Sequence, residues 1–100
     1  MDNVVARLIR YAKVWSESDY HANRGTTPST DRQFDMARLL VEELHGMGAD
    51  NAFVDDTCYV YASLPATPGC EHLPVIGLIA HMDTTPDMTG KDVKPQILHY

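Results

Sequence analysis

Positive charge is scarce in this chain. Among 100 residues, 8 Lys and Arg stand against 14 Asp and Glu, a formal net charge of −6 with neutral histidines. Phosphate backbones are bound through clustered Lys and Arg that displace counterions, so the balance argues against a nucleic-acid partner. Long apolar runs are missing as well: no window approaches the roughly 18 apolar residues of a membrane-spanning helix, and no membrane partner is expected. Met1-Asp2-Asn3 opens the chain without a basic segment leading into an apolar one, so no secretory signal is read there. Cysteine is sparse too. Cys58 and Cys70 are too few for a disulfide framework, and two thiols suit a reducing compartment, which makes the cytoplasm the expected location.

The remaining composition is that of an ordinary globular domain, 44% hydrophobic and 22% charged. Helical periodicity comes first. Val4, Val5, Leu8, Tyr11, Ala12 and Trp15 recur at helical spacing and predict a helix over 3–15, with Asp2 or Asn3 as its N-cap. Ser16 to Thr27 is polar and reads as a loop. Thr30 and Gln33 then stand at capping-box spacing, ahead of an apolar face made by Phe34, Ala37, Leu40, Val41, Leu44 and Met47. Gly48 supplies the expected C-cap.

Strand signals follow. Ala52–Val54 and Cys58–Leu64 predict a hairpin around Asp55-Asp56-Thr57, with Cys58, Val60, Ala62 and Leu64 on one face and Tyr59, Tyr61 and Ser63 on the other. A proline-rich loop, 65–74, leads to Val75-Ile-Gly-Leu-Ile-Ala80. That near-continuous apolar run predicts a central strand covered on both faces. The fold class is α/β, two helices followed by about three strands.

The chemistry sits at the end of the third predicted strand. His81-Met82-Asp83-Thr84 delivers an imidazole and a carboxylate where open α/β sheets place their sites. Residues i and i+2 of a strand point the same way, so His81 and Asp83 share a face. A metal-ligating histidine needs its second ring nitrogen held by an acceptor, and a neighbouring carboxylate does that. A plain structural hydrogen-bonded pair is the alternative reading of the same two residues.

Around this pair the motifs accumulate in order: an apolar strand, His-x-Asp-Thr, Thr85-Pro-Asp87, then Gly90-Lys-x-Val-x-Pro95. Residues 73–97 closely resemble the N-terminal part of the zinc aminotripeptidases of the large co-catalytic metallopeptidase family. The likeness reaches back through Thr27-Pro-Ser-Thr30 to about Leu8. It implies a mixed-sheet catalytic domain with helices on both faces and two zinc ions. His81 matches a ligand of one zinc, and Asp83, the candidate catalytic residue, matches the essential acid that orients that imidazole. The implied reaction releases the N-terminal residue of a short peptide, a tripeptide above all. Paired metals would polarise the scissile carbonyl and activate water, with a Glu as general base.

The family's bridging Asp, general-base Glu and other ligands fall beyond Tyr100. Residues 1–100 are therefore expected to be an incomplete N-terminal segment of a catalytic domain, inactive alone and weak in zinc binding. A catalytic zinc site takes about three protein ligands. Glu42, Glu43 and His45 are read as a solvated helix face, and Glu71, His72, His21 and His99 are left unassigned. A deacylase or carboxypeptidase of the same superfamily is the near alternative. The alternative of another class is a non-enzymatic module that self-associates through an uncovered strand.

Overall fold

A computed structural model describes residues 3–100. Helix α1 runs Val4–Ala12, helix α2 Gln33–Gly46, and strands β1 (Phe53–Val54) and β2 (Val60–Tyr61) form a two-stranded antiparallel sheet. The described residues thus comprise two helices and a small sheet, an α/β arrangement.

Asn3 caps α1, its side-chain oxygen accepting from the Ala6 N–H at 2.8 Å, which satisfies one of the orphan donors of the first turn. The other expected cap, Asp2, lies outside the described residues. The helix stops at Ala12, short of the predicted Trp15. Its apolar stripe is also not its docking face: Val4 is 79% and Leu8 67% exposed. What ties α1 to α2 is polar. The Tyr11 hydroxyl donates to the Glu43 carboxylate, and Arg10 pairs with that same group.

α2 begins later than the capping-box spacing predicts. The chain enters through 3₁₀-type turns, with Phe34 N–H on the Asp31 carbonyl and Asp35 N–H on that of Arg32. Gln33 does reach Thr30, but as a donor to its hydroxyl (3.1 Å) and to that of Ser29 (3.1 Å). Those two bonds satisfy a side chain that is buried along with Met36 and Ala37. The C-terminus is a Schellman motif. Ala49 N–H bonds to the Leu44 carbonyl and Gly48 N–H to that of His45, with Gly48 at φ +93° as a left-handed residue after the cap.

The hairpin forms as predicted but shorter, with Phe53 opposite Tyr61 and Val54 opposite Val60. Asp55 closes it. Its Oδ1 accepts from Thr57 N–H, Thr57 hydroxyl and Tyr59 N–H. Cys58 is buried but lies in the turn at φ +68°, outside the strand alternation. Beyond Tyr61 the ladder gives way to the Asn51 side chain, which exchanges bonds with Ser63 backbone and hydroxyl. That is why β2 ends before the predicted Leu64, which is 83% exposed. α2 covers the hairpin, and the core is Met36, Ala37, Ala49, Ala52 and Cys58.

The largest departure is the predicted third strand. Residues 75–80 join no sheet among the described residues. Val75 is 97%, Leu78 95% and Ile79 99% exposed. A strand needs a neighbour to take its N–H and C=O groups, and none is present on either side. The chain is accordingly expanded, with a radius of gyration of 16.3 Å against about 13 Å for a compact chain of this length.

Candidate functional site

After the unpaired run, the backbone is caught again at Met82–Thr84. Ser18 N–H donates to the Thr84 carbonyl at 2.9 Å and Thr84 N–H to the Ser16 carbonyl at 3.2 Å, which makes a parallel bridge between Glu17 and Thr84. Two hydroxyls reinforce it. Ser16, wholly buried, donates to Met82 O, and Ser18 donates to Thr84 O. The segment that carries the site is therefore held by the stretch following α1, a contact between residues some 66 positions apart.

On that segment His81 and Asp83 meet as the i, i+2 spacing predicts. Nδ1 of the imidazole lies 2.8 Å from Asp83 Oδ1. The ring is 80% exposed and the carboxylate 36%. With Nδ1–H donated to the carboxylate, a neutral ring keeps its lone pair on Nε2, available to a ligand. A carboxylate behind a histidine also fixes the tautomer and raises the basicity of the free nitrogen.

The donor set around the pair is small. Among the described residues no three His, Cys, Asp or Glu side chains converge as a metal ion requires. The pair fits one ligand with its orienting carboxylate, and these residues do not by themselves make a zinc site. Two surface depressions, one lined by Gly25–Thr27 with Asp56 and Thr57 and the other by residues between Leu64 and Ile76, contain neither His81 nor Asp83.

Next to the pair, Thr85 and Asp87 form a local turn in which the Thr85 hydroxyl donates to Asp87 Oδ2 at 2.8 Å. Tyr20 reaches across to share a hydrogen bond with the Thr85 hydroxyl at 3.0 Å. Glu17 then closes the far end of the loop. Its Oε2 accepts from Gly90 N–H at 2.8 Å and from Trp15 Nε1–H at 3.1 Å. Those donors, Gly90 first, hold the Glu17 carboxyl below the usual Glu range. The Arg32 guanidinium lies 4.1 Å over the Trp15 ring and donates through Nε to the Glu17 carbonyl at 2.8 Å.

Sequence reasoning missed Glu17, Ser16 and Tyr20, all within a stretch read as a polar loop. The only available signal was the Gly-Lys pair at 90–91, which marks a turn without naming what it turns against. The helix-face residues also proved unequal. Glu42 is exposed, but Glu43 is 11% exposed and ion-paired, and His45 Nε2–H donates to the Ala52 carbonyl at 2.9 Å. Glu43 ties α1 to α2 and His45 ties α2 to the segment before β1, and neither belongs to a cluster of donors that could hold a metal ion among the described residues. Both cysteines are free thiols, and burial pushes the Cys58 thiol up from its ordinary value.

No helix among the described residues is long and apolar enough to cross a membrane. No family model matches the chain. Individual proteins do, and they are peptidases by name. Three such relatives are each named peptidase T. The chain is 48% identical to peptidase T of Alkaliphilus oremlandii over 99 residues, which is 98% of this chain and 24% of that protein. It is 48% identical to peptidase T of Geobacillus kaustophilus over 95 residues, covering 95% of this chain and 22% of that one. With peptidase T of Clostridium acetobutylicum the figures are 43% over 98 residues, 98% and 23%. The chain spans about a quarter of the length of the curated relatives it matches. The resemblance read in residues 73–97 is thus a resemblance to peptidase T, carried through nearly the whole chain.

Proposed function

We propose that these residues are the N-terminal segment of a zinc-dependent aminotripeptidase of the mixed-sheet metallopeptidase type, in which His81 ligates one of two zinc ions. Asp83 acts behind it as the residue that orients the imidazole. The observation that carries this reading is the 2.8 Å contact between His81 Nδ1 and Asp83 Oδ1, on a segment whose sequence follows peptidase T. Zinc, when bound, supplies Lewis-acid polarisation of a carbonyl and an activated water. The chain's own contribution is to hold Nε2 of His81 outward with its lone pair exposed. The other ligands and the general base belong to residues beyond these 100. The isolated segment is therefore inactive and binds zinc weakly. Short peptides are the substrates of the parent enzyme, and the cytoplasm, which suits two free thiols, is its compartment.

The experiment begins with the intact mass of the gene product purified from its source cells. The product is then assayed on tripeptides with and without a chelator. A product several times longer than this chain, which releases the N-terminal residue and stops when chelated, is the expected result. Tripeptide hydrolysis at enzymatic rates by the 100-residue chain alone overturns the assignment of an incomplete site. Cleavage confined to acylated amino acids or to C-terminal residues moves the reading to a deacylase or carboxypeptidase of the same superfamily.

A further inference from the structure

Glu17 stands where the 84–90 loop is held at both ends. The residues on either side of it, Ser16 and Ser18, exchange the backbone bonds that set Glu17 opposite Thr84, directly after Asp83. The Glu17 carboxylate takes the Gly90 N–H, 73 residues away, together with the Trp15 indole N–H. Its carbonyl accepts from Thr30 hydroxyl and Arg32 Nε, both at 2.8 Å. Residues 84–90 are thereby pinned as a closed loop, and the approach is close. A Cβ on Gly90 would stand 3.0 Å from Thr84 Oγ1, with Glu17 Oε2 and the Trp15 ring each at 3.7 Å. Only a residue without a side chain fits there without moving its neighbours. His81, by contrast, has little to hold it except Asp83, since the run before it is exposed.

We propose that Glu17 is a positioning residue for the His81–Asp83 pair: it fixes the 84–90 loop, and through Thr84 fixes the backbone from which the Asp83 carboxylate meets the imidazole. The inference rests on the proposed metallopeptidase reading for its consequence in catalysis, although the positioning itself is measurable without it. Glu17→Ala removes both acceptor bonds. Glu17→Gln keeps a side-chain oxygen that can accept both, and so tests whether the acceptor or the charge matters.

The test uses the natural gene product and these variants. In Glu17→Ala, amide exchange at Gly90, Thr84 and Ser18 should quicken about fivefold or more, as expected for loss of hydrogen bonds of ordinary strength. Amides of α2 should be unchanged. The ¹⁵N signals of the His81 ring should shift from a single tautomer with Nδ1 protonated toward the averaged pattern of a free imidazole. Tripeptide turnover should fall about tenfold in kcat with little change in KM, in line with the loss of an outer support of a ligand. Glu17→Gln should restore all three.

Faster exchange with an unchanged His81 signature would make Glu17 merely structural and overturn the proposal, as would unchanged exchange. A wild-type product with no peptidase activity, but with the His81 shift intact in Glu17→Ala, overturns the metallopeptidase reading and leaves the positioning role standing. Should Glu17→Ala fail to fold, Gly90→Ala carries the same test. It presses a methyl against Thr84 while leaving Glu17 in place, and an unshifted His81 signature there overturns the proposal.

Discussion

The buried hydroxyl of Ser16 donates to the carbonyl of Met82 at 3.1 Å. That single bond joins the stretch that follows the first helix to the residue between His81 and Asp83. Its energy is small, but it has no solvent to replace it. Ser16→Ala should leave the Met82 carbonyl without this donor and cost about 1 kcal/mol. The loss should be local. Amide exchange at Thr84 and Ser18 should rise while the urea midpoint of the α2–hairpin core stays close to wild type, and an unaltered exchange pattern would show that the backbone bridge suffices without the hydroxyl.

Glu43 gathers Arg10, Tyr11 and, at 3.9 Å, Arg7. This is how α1 is attached, while Val4, Val5 and Leu8 face outward. Glu43→Gln should destabilise the chain by about 2 kcal/mol and Tyr11→Phe by about 1 kcal/mol, the cost of taking a partner from a half-buried network. Urea unfolding followed by helical circular dichroism reads both. A midpoint that does not move in Glu43→Gln would show that α1 is held by other contacts.

These two residues mark the limit of what periodicity reveals. A hydrophobic pattern reports which face prefers to leave water, and in α2 it found Ala37, Leu40, Val41 and Leu44 where the structure half-buries or buries them. In α1 the pattern singled out Val4 and Leu8, which remain exposed because nothing among the described residues lies over them. The helix docks through an ion pair that the pattern cannot register. The His81–Asp83 contact was legible because two residues of spacing settle it locally. Glu17 was not, since its partner Gly90 is brought near only by the fold. The run at 75–80 reads as a strand by composition, yet strand formation is a property of pairs, and no segment among the described residues pairs with it.

Asp55 should give the hairpin a pH dependence. Its carboxyl is held below the ordinary Asp range, first by the Tyr59 N–H and then by the Thr57 hydroxyl and N–H, against an opposing effect of burial. A lowered native pKa means that the carboxylate's contribution is fully present above the unfolded value. It is lost as pH falls through the native one. Tyr59 and Tyr61, which flank the turn, report it. Their near-ultraviolet dichroism should be constant from neutrality to roughly pH 4 and decline below it. In Asp55→Asn, whose amide oxygen still accepts but does not titrate, that acid decline should flatten. An equal decline in both proteins would assign it to other carboxylates.

Exposure of Val75, Ile76, Leu78 and Ile79, from 85% to 99%, sets the behaviour of the 100-residue chain in solution. Four large apolar side chains in an extended segment with unsatisfied amides are a template for pairing with another strand. A segment of this kind, rich in β-branched residues and free of charge, is also the pattern that stacks between copies. The net charge of −6 opposes association, but at physiological salt its repulsion is largely screened beyond a Debye length of about 8 Å. The isolated chain should therefore self-associate. Sedimentation should show the sedimentation coefficient rising with concentration, more steeply as salt is added. Replacing Ile76 and Ile79 with Lys puts like charges on the paired edges and should return a monomer. A wild-type chain that stays monomeric at high concentration and high salt would mean that the run finds cover within its own molecule.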